Sequence, residues 1–135
     1  MSASAVAVLG LVAWAVVLTV ILLGVRLAAI AGGKPLNQFD PAGKDLTPCG
    51  SRVTRAHGNA LENLALNVAP LLYAITTGHA AVTDPLAKIV LGARLAQSLV
   101  HMASTAPAAV LVRGSFFGVQ IGIALYWVWE LWHAA

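Results

Sequence analysis

Three sets of side chains in this sequence have the types and spacing to do chemistry together. Arg52, Arg55, Asn59 and Glu62 fall on one face of any α-helix drawn through them, and Arg94, Gln97, His101 and Ser104 do so again further along. Arg113 and Gln120, seven residues apart, form a third such face. Guanidinium groups grip carboxylates in a two-pronged fashion, carboxamides donate and accept, and a carboxylate can hold an ammonium. The combination suits a small, polar, multiply charged ligand. All three sets are embedded in apolar sequence such as LALNVAPLLYAI, so the polar faces enter a bilayer rather than stop at its surface. Polar groups at that depth are expensive and rarely kept without a use.

Each of these residues also has a plainer reading. Arg94, midway along an apolar run, must face a bundle interior and needs a partner; Glu62 is the only acid that could plausibly reach it, so a structural ion pair accounts for both whether or not a ligand also touches them. Arg26, late in the first apolar run, could simply snorkel to the interface as an anchor. His101 alone is the profile of a satisfied interior histidine. Metal chemistry is not expected: His57, His79, His101 and His133 lie far apart without ligand spacing, and the single Cys49 excludes internal disulfides and paired-cysteine motifs. Nor does the net charge of +3 come with a basic patch interleaved with aromatics, so nucleic acid is not a partner we expect.

The elements that must position these groups follow from composition. A chain of 135 residues that is 59% hydrophobic and 10% charged, with a mean hydropathy of +0.83, is an integral membrane protein. Its length allows a single all-α domain, a bundle of four transmembrane helices at roughly 20 apolar residues each. The pattern predicts helices over about 5–30, 51–77, 86–105 and 113–133. The first run is too long for a signal-peptide core and lacks a basic segment before it, so it is a retained helix. Between 32 and 50 the glycines, prolines, Asp40 and Asp45 predict an aqueous loop able to cover a site at the membrane surface, with Cys49 an ordinary loop thiol. Pro70 predicts a bend in the second helix, and Thr83 or Asp84 ahead of Pro85 the start of the third. Tyr126, Trp127, Trp129 and Trp132 read as an interfacial aromatic belt rather than a ligand cage.

Charge sets the orientation. Arg26, Lys34, Lys44, Arg52, Arg55 and Arg113 flank one side and Lys88 alone the other, which places the long loop in the cytoplasm and both termini outside. The stripe of the second helix, Arg26 and Arg113 are thereby expected to meet at the cytoplasmic leaflet, in a bacterial inner membrane.

The string Arg55-Ala56-His57, then Asn59, then Glu62-Asn63, inside the second of four apolar helices, resembles the signature of the MAPEG family, the membrane-associated proteins of eicosanoid and glutathione metabolism. Arg26, Arg94 and Arg113 fall where that family carries basic residues, so the resemblance covers nearly the whole chain. It implies a homotrimer with sites between subunits, glutathione as co-substrate, and thiolate attack on a lipophilic substrate from the bilayer, or a related peroxide reduction or isomerisation. Carried over by position, Arg113 would stabilise the thiolate, while Arg26, Arg55, Asn59, Glu62, Arg94, His101 and Gln120 would hold the tripeptide. The better-known eukaryotic members have tyrosines where Asn63, Gln97 and His101 stand here. Because the family includes members that bind lipids or partner proteins without turnover, a non-catalytic protein of the same fold is the alternative. A small four-helix exporter would rely on an acid within the first helix, which here has only Arg26.

Overall fold

The computed structural model describes residues 1–134 and is all-helical, with no strand among the described residues. Its elements are α1 (Ala3–Ala31), α2 (Pro48–Glu62), α3 (Leu64–Thr76), α4 (Ala80–Ala103) and α5 (Pro107–Ala134). α2 and α3 together fill the second of the four expected spans. α1 and α5 are each long and apolar enough to cross a bilayer. Large aliphatics along α1, among them Leu9, Val16, Val20 and Leu27, point outward, as a lipid-facing surface requires.

The second helix breaks at Asn63 rather than at Pro70. Asn63 Nδ2 donates to the Asn59 carbonyl at 2.9 Å, and Asn67 Nδ2 donates to the Asn63 carbonyl at 3.1 Å. Two carboxamides thus take over backbone acceptors at the junction, the local competition by which asparagine interrupts helices. α3 continues through Pro70.

α4 begins at Ala80, ahead of the expected start, with Pro85 inside it. The supposed capping residues cap another helix instead: Asp84 Oδ1 accepts from the Ser4 backbone N–H at 2.8 Å and from its hydroxyl at 2.6 Å, and Ser4 Oγ lies 2.7 Å from Thr83 Oγ1. α5 likewise starts early, with Pro107 as its first residue, where a missing N–H costs nothing. The link from α4 shrinks to Ser104, Thr105 and Ala106, and Arg113 lies about 9 Å along the helix instead of at its start.

α4 is the central helix, packing against all four others. The core lies toward the Ser4–Asp84 end, where Ala7, Leu11, Leu71, Ala74, Ala87, Val90, Trp127 and Leu131 are buried together. Trp127 is therefore a core residue, 0% exposed, and only Tyr126, Trp129 and Trp132 of the expected belt face outward. α1 and α4 approach closely through Gly10, where a Cβ would stand 2.7 Å from Leu91 Cδ2.

At the opposite end the loop between α1 and α2 is ordered by its own contacts. Lys34 Nζ and Asp45 Oδ2 are 2.7 Å apart, and the Phe39 ring is shared by the Arg26 guanidinium at 5.6 Å and Lys34 Nζ at 5.3 Å. The hydrogen bond from Lys34, helped by the Asp40 backbone N–H, holds the Asp45 carboxyl below its ordinary value. Buried Gly43 adopts φ +70° against Thr54 of α2, where a Cβ would sit 2.6 Å from Thr54 Oγ1. Thr47 caps α2 by accepting from the Gly50 N–H at 3.1 Å, so Cys49 stands exposed in the first helical turn, not in the loop.

Candidate functional site

Asn59 of α2, Gln97 and His101 of α4, and Val110, Arg113, Gly114 and Phe117 of α5 enclose a cleft of about 230 Å³ on the loop side of the bundle. The early start of α5 is what brings Arg113 here: with the helix running from Pro107, Arg113 and Phe117 lie on successive turns facing α4.

Behind the cleft lies Arg94, 3% exposed, with Nη1 donating to Asn59 Oδ1 at 3.2 Å. Gln97 Nε2 donates to the same oxygen at 3.3 Å. The arginine's partner is therefore a carboxamide, and the expected Glu62–Arg94 ion pair does not form. The only salt bridge among the described residues is Lys34–Asp45.

The reason is angular. On a helix turning about 100° per residue, the Arg52–Glu62 stripe is roughly 80° wide. Its Arg52–Asn59 edge faces α4, where Arg52 Nε donates to the Met102 carbonyl at 2.7 Å and Asn59 meets Arg94. Its Arg55–Glu62 edge is exposed.

Three nitrogens around the cleft are buried without any hydrogen-bond partner: Arg94 Nη2, His101 Nε2 and Arg113 Nε. His101 is 8% exposed, so water does not readily substitute. Arg94 Nη2 and Arg113 Nε can only donate, and both belong to cations, so they make an environment that a carboxylate or a thiolate would satisfy.

Of the residues singled out from sequence, Asn59, Gln97, His101 and Arg113 line the cleft, and Arg94 stands behind it on Asn59. Gln120 does not reach the cleft surface. It is 1% exposed, donating to Gln97 Oε1 and to the Phe116 carbonyl, both at 2.9 Å, and accepting from Asn67 Nδ2 at 3.3 Å. Arg26 stands on the other flank of α2, under Phe39 and near His57, whose Nε2 lies 3.1 Å from Thr19 Oγ1. Within one chain, then, Arg26 and Arg113 do not share a cleft.

Sequence reasoning missed Phe117 as a cleft wall and Asn67 as a buried partner. Asn67, four residues after Asn63, carried a signal. Nothing in the pattern marked Phe117.

The model of the MAPEG family matches residues 4–132 of this chain. No curated protein and no solved structure matches it.

Proposed function

The chain belongs to the MAPEG family, a membrane family of eicosanoid and glutathione metabolism, and from that premise we propose that it is a glutathione-dependent transferase or peroxidase acting on a lipophilic electrophile. The observation that carries this reading is the cleft itself, lined by His101 and Arg113, whose Nε2 and Nε are buried without partners, with the equally unpartnered Nη2 of Arg94 behind it. Leaving such groups unsatisfied costs about 1–3 kcal/mol each, more when charged, so the arrangement favours an anionic ligand. Glutathione supplies two carboxylates and an ionisable thiol. The Arg113 guanidinium would hold the thiol as thiolate; the sulfur then attacks the electrophilic carbon, and the leaving group departs with the bonding pair. Val110 and Phe117 offer the second substrate an apolar wall.

The exposed Arg55–Glu62 edge supports assembly as a homotrimer, since charges at that depth call for a covering partner. In such an assembly Arg26 would serve a neighbour's site, which fits its separation from Arg113 within one chain. A site facing the cytoplasm agrees with the basic residues gathered at the loop end.

The test is calorimetric titration of glutathione into protein in nanodiscs, followed by conjugation of a chlorodinitrobenzene electrophile with chloride release. Binding and turnover are expected. Binding without turnover on aryl halides or lipid hydroperoxides favours the non-catalytic protein of the same fold; no binding overturns the proposal.

A further inference from the structure

Behind the cleft, four side-chain amides are linked head to tail. Asn67 Nδ2 donates to Gln120 Oε1 at 3.3 Å, Gln120 Nε2 to Gln97 Oε1 at 2.9 Å, and Gln97 Nε2 to Asn59 Oδ1 at 3.3 Å. A carboxamide can be turned end for end, so the direction of one such link means little alone. Here both ends of the series have fixed polarity. At the deep end the Asn63 and Phe116 carbonyls can only accept, and they take Asn67 Nδ2 at 3.1 Å and Gln120 Nε2 at 2.9 Å. At the cleft end the Arg94 guanidinium can only donate, and its Nη1 reaches Asn59 Oδ1 at 3.2 Å. Reversing any one amide would set donor against donor or acceptor against acceptor inside a buried network, where each mismatch is costly.

We propose that Gln120 is a positioning residue for the cleft: acting through Gln97, it fixes the Asn59 carboxamide with its oxygen turned inward and its NH2 group turned to the ligand. Asn59 Oδ1 receives two donors, while Asn59 Nδ2 makes no hydrogen bond among the described residues and belongs to a side chain lining the cleft. The site consequently offers a donor at this point and selects an oxygen acceptor on the ligand. Gln120 never touches that ligand. The inference rests on reading the cleft as a ligand site, and the experiment separates the two.

The chain has four asparagines, so selective 15N-asparagine labelling in nanodiscs gives a short side-chain NH2 spectrum, with Asn59 identified by Asn59→Ala. Gln120→Met keeps the volume and removes the amide. It should displace the Asn59 NH2 pair, although Gln97 lies between them, and weaken glutathione binding about fivefold or more. In an Asn59→Ala background the same change should weaken binding no further, because both act through one group. An unmoved Asn59 pair, or fully additive losses of affinity, overturns the proposal. If wild-type protein binds no glutathione, the proposed function fails while the Asn59 spectrum still decides the role of Gln120. Should Gln120→Met not fold, Gln97→Met breaks the series one link nearer the cleft and must produce the same Asn59 displacement.

Discussion

Asp84, on α4, accepts hydrogen bonds from both the backbone N–H and the hydroxyl of Ser4, at 2.8 and 2.6 Å, and so caps a helix that begins eighty residues earlier. The carboxylate sits at the positive end of α1, where the unpaired N–H groups of a first turn favour negative charge. With Thr83, 0% exposed, it ties the start of α1 to the start of α4 across the end of the bundle away from the cleft.

Asp84→Ala should therefore lower stability without touching the site. Hydrogen bonds to a charged group, discounted for the partial exposure of this one, predict a loss of about 1–2 kcal/mol. Thermal unfolding in detergent measures it. Ser4→Ala combined with Asp84→Ala should cost less than the two separate losses added. Glutathione affinity well below the melting temperature should stay at the wild-type value.

Arg113→Ala should lower turnover more than it weakens glutathione binding. A free thiol has a pKa of about 8.5, and depressing it by about 2 takes roughly 2.7 kcal/mol, an effect that one partly desolvated guanidinium can supply. Without Arg113 less thiolate is present at neutral pH, so the pH–rate profile should move upward. Stopped-flow measurement of thiolate absorbance against pH checks this directly. An unchanged profile moves the role to Arg94, the other cation at the cleft.

Glu62→Gln should leave the monomer's internal packing intact, because the Glu62 side chain is exposed and Arg94 bonds to Asn59 instead. The expected loss lies in glutathione affinity and in assembly, read by calorimetry and by native mass spectrometry. If a Glu62→Gln protein instead melts several degrees lower with affinity and assembly unaltered, Glu62 supports the fold of the single chain.

The 32–47 loop should loosen in acid. Asp45 is held below its ordinary value chiefly by Lys34, so its stabilising contribution is present at neutral pH and fades as pH falls through the depressed value. Limited proteolysis of the loop should accelerate there, and Lys34→Gln should reproduce the acceleration at pH 7. Gly43→Ala should open the loop at every pH, since φ +70° and the 2.6 Å approach to Thr54 Oγ1 exclude a side chain.

Composition and apolar run length determined the membrane class and the four spans, because burying backbone in lipid leaves helices as the only economical answer for runs of this length. The string from Arg55 to Asn63 carried the family, whose model matches 4–132. Side-chain spacing also put Asn59, Arg94, His101 and Arg113 on candidate faces; the structure lines one cleft with Asn59, His101 and Arg113 and sets Arg94 behind it on Asn59.

The tertiary structure decided which edge of each face is used. Spacing places Asn59 and Glu62 on one stripe, but only docking against α4 turns Asn59 inward and leaves Glu62 outside, so Arg94 takes an amide where an ion pair was expected. It likewise decided that Asp84 caps α1, that the second helix breaks at Asn63, and that Trp127 is core and not belt. Local signals report what a residue can bond to. Which partner arrives depends on contacts between residues far apart in the chain, such as Gln120 with Asn67 and Gln97, and a one-dimensional pattern does not encode those meetings.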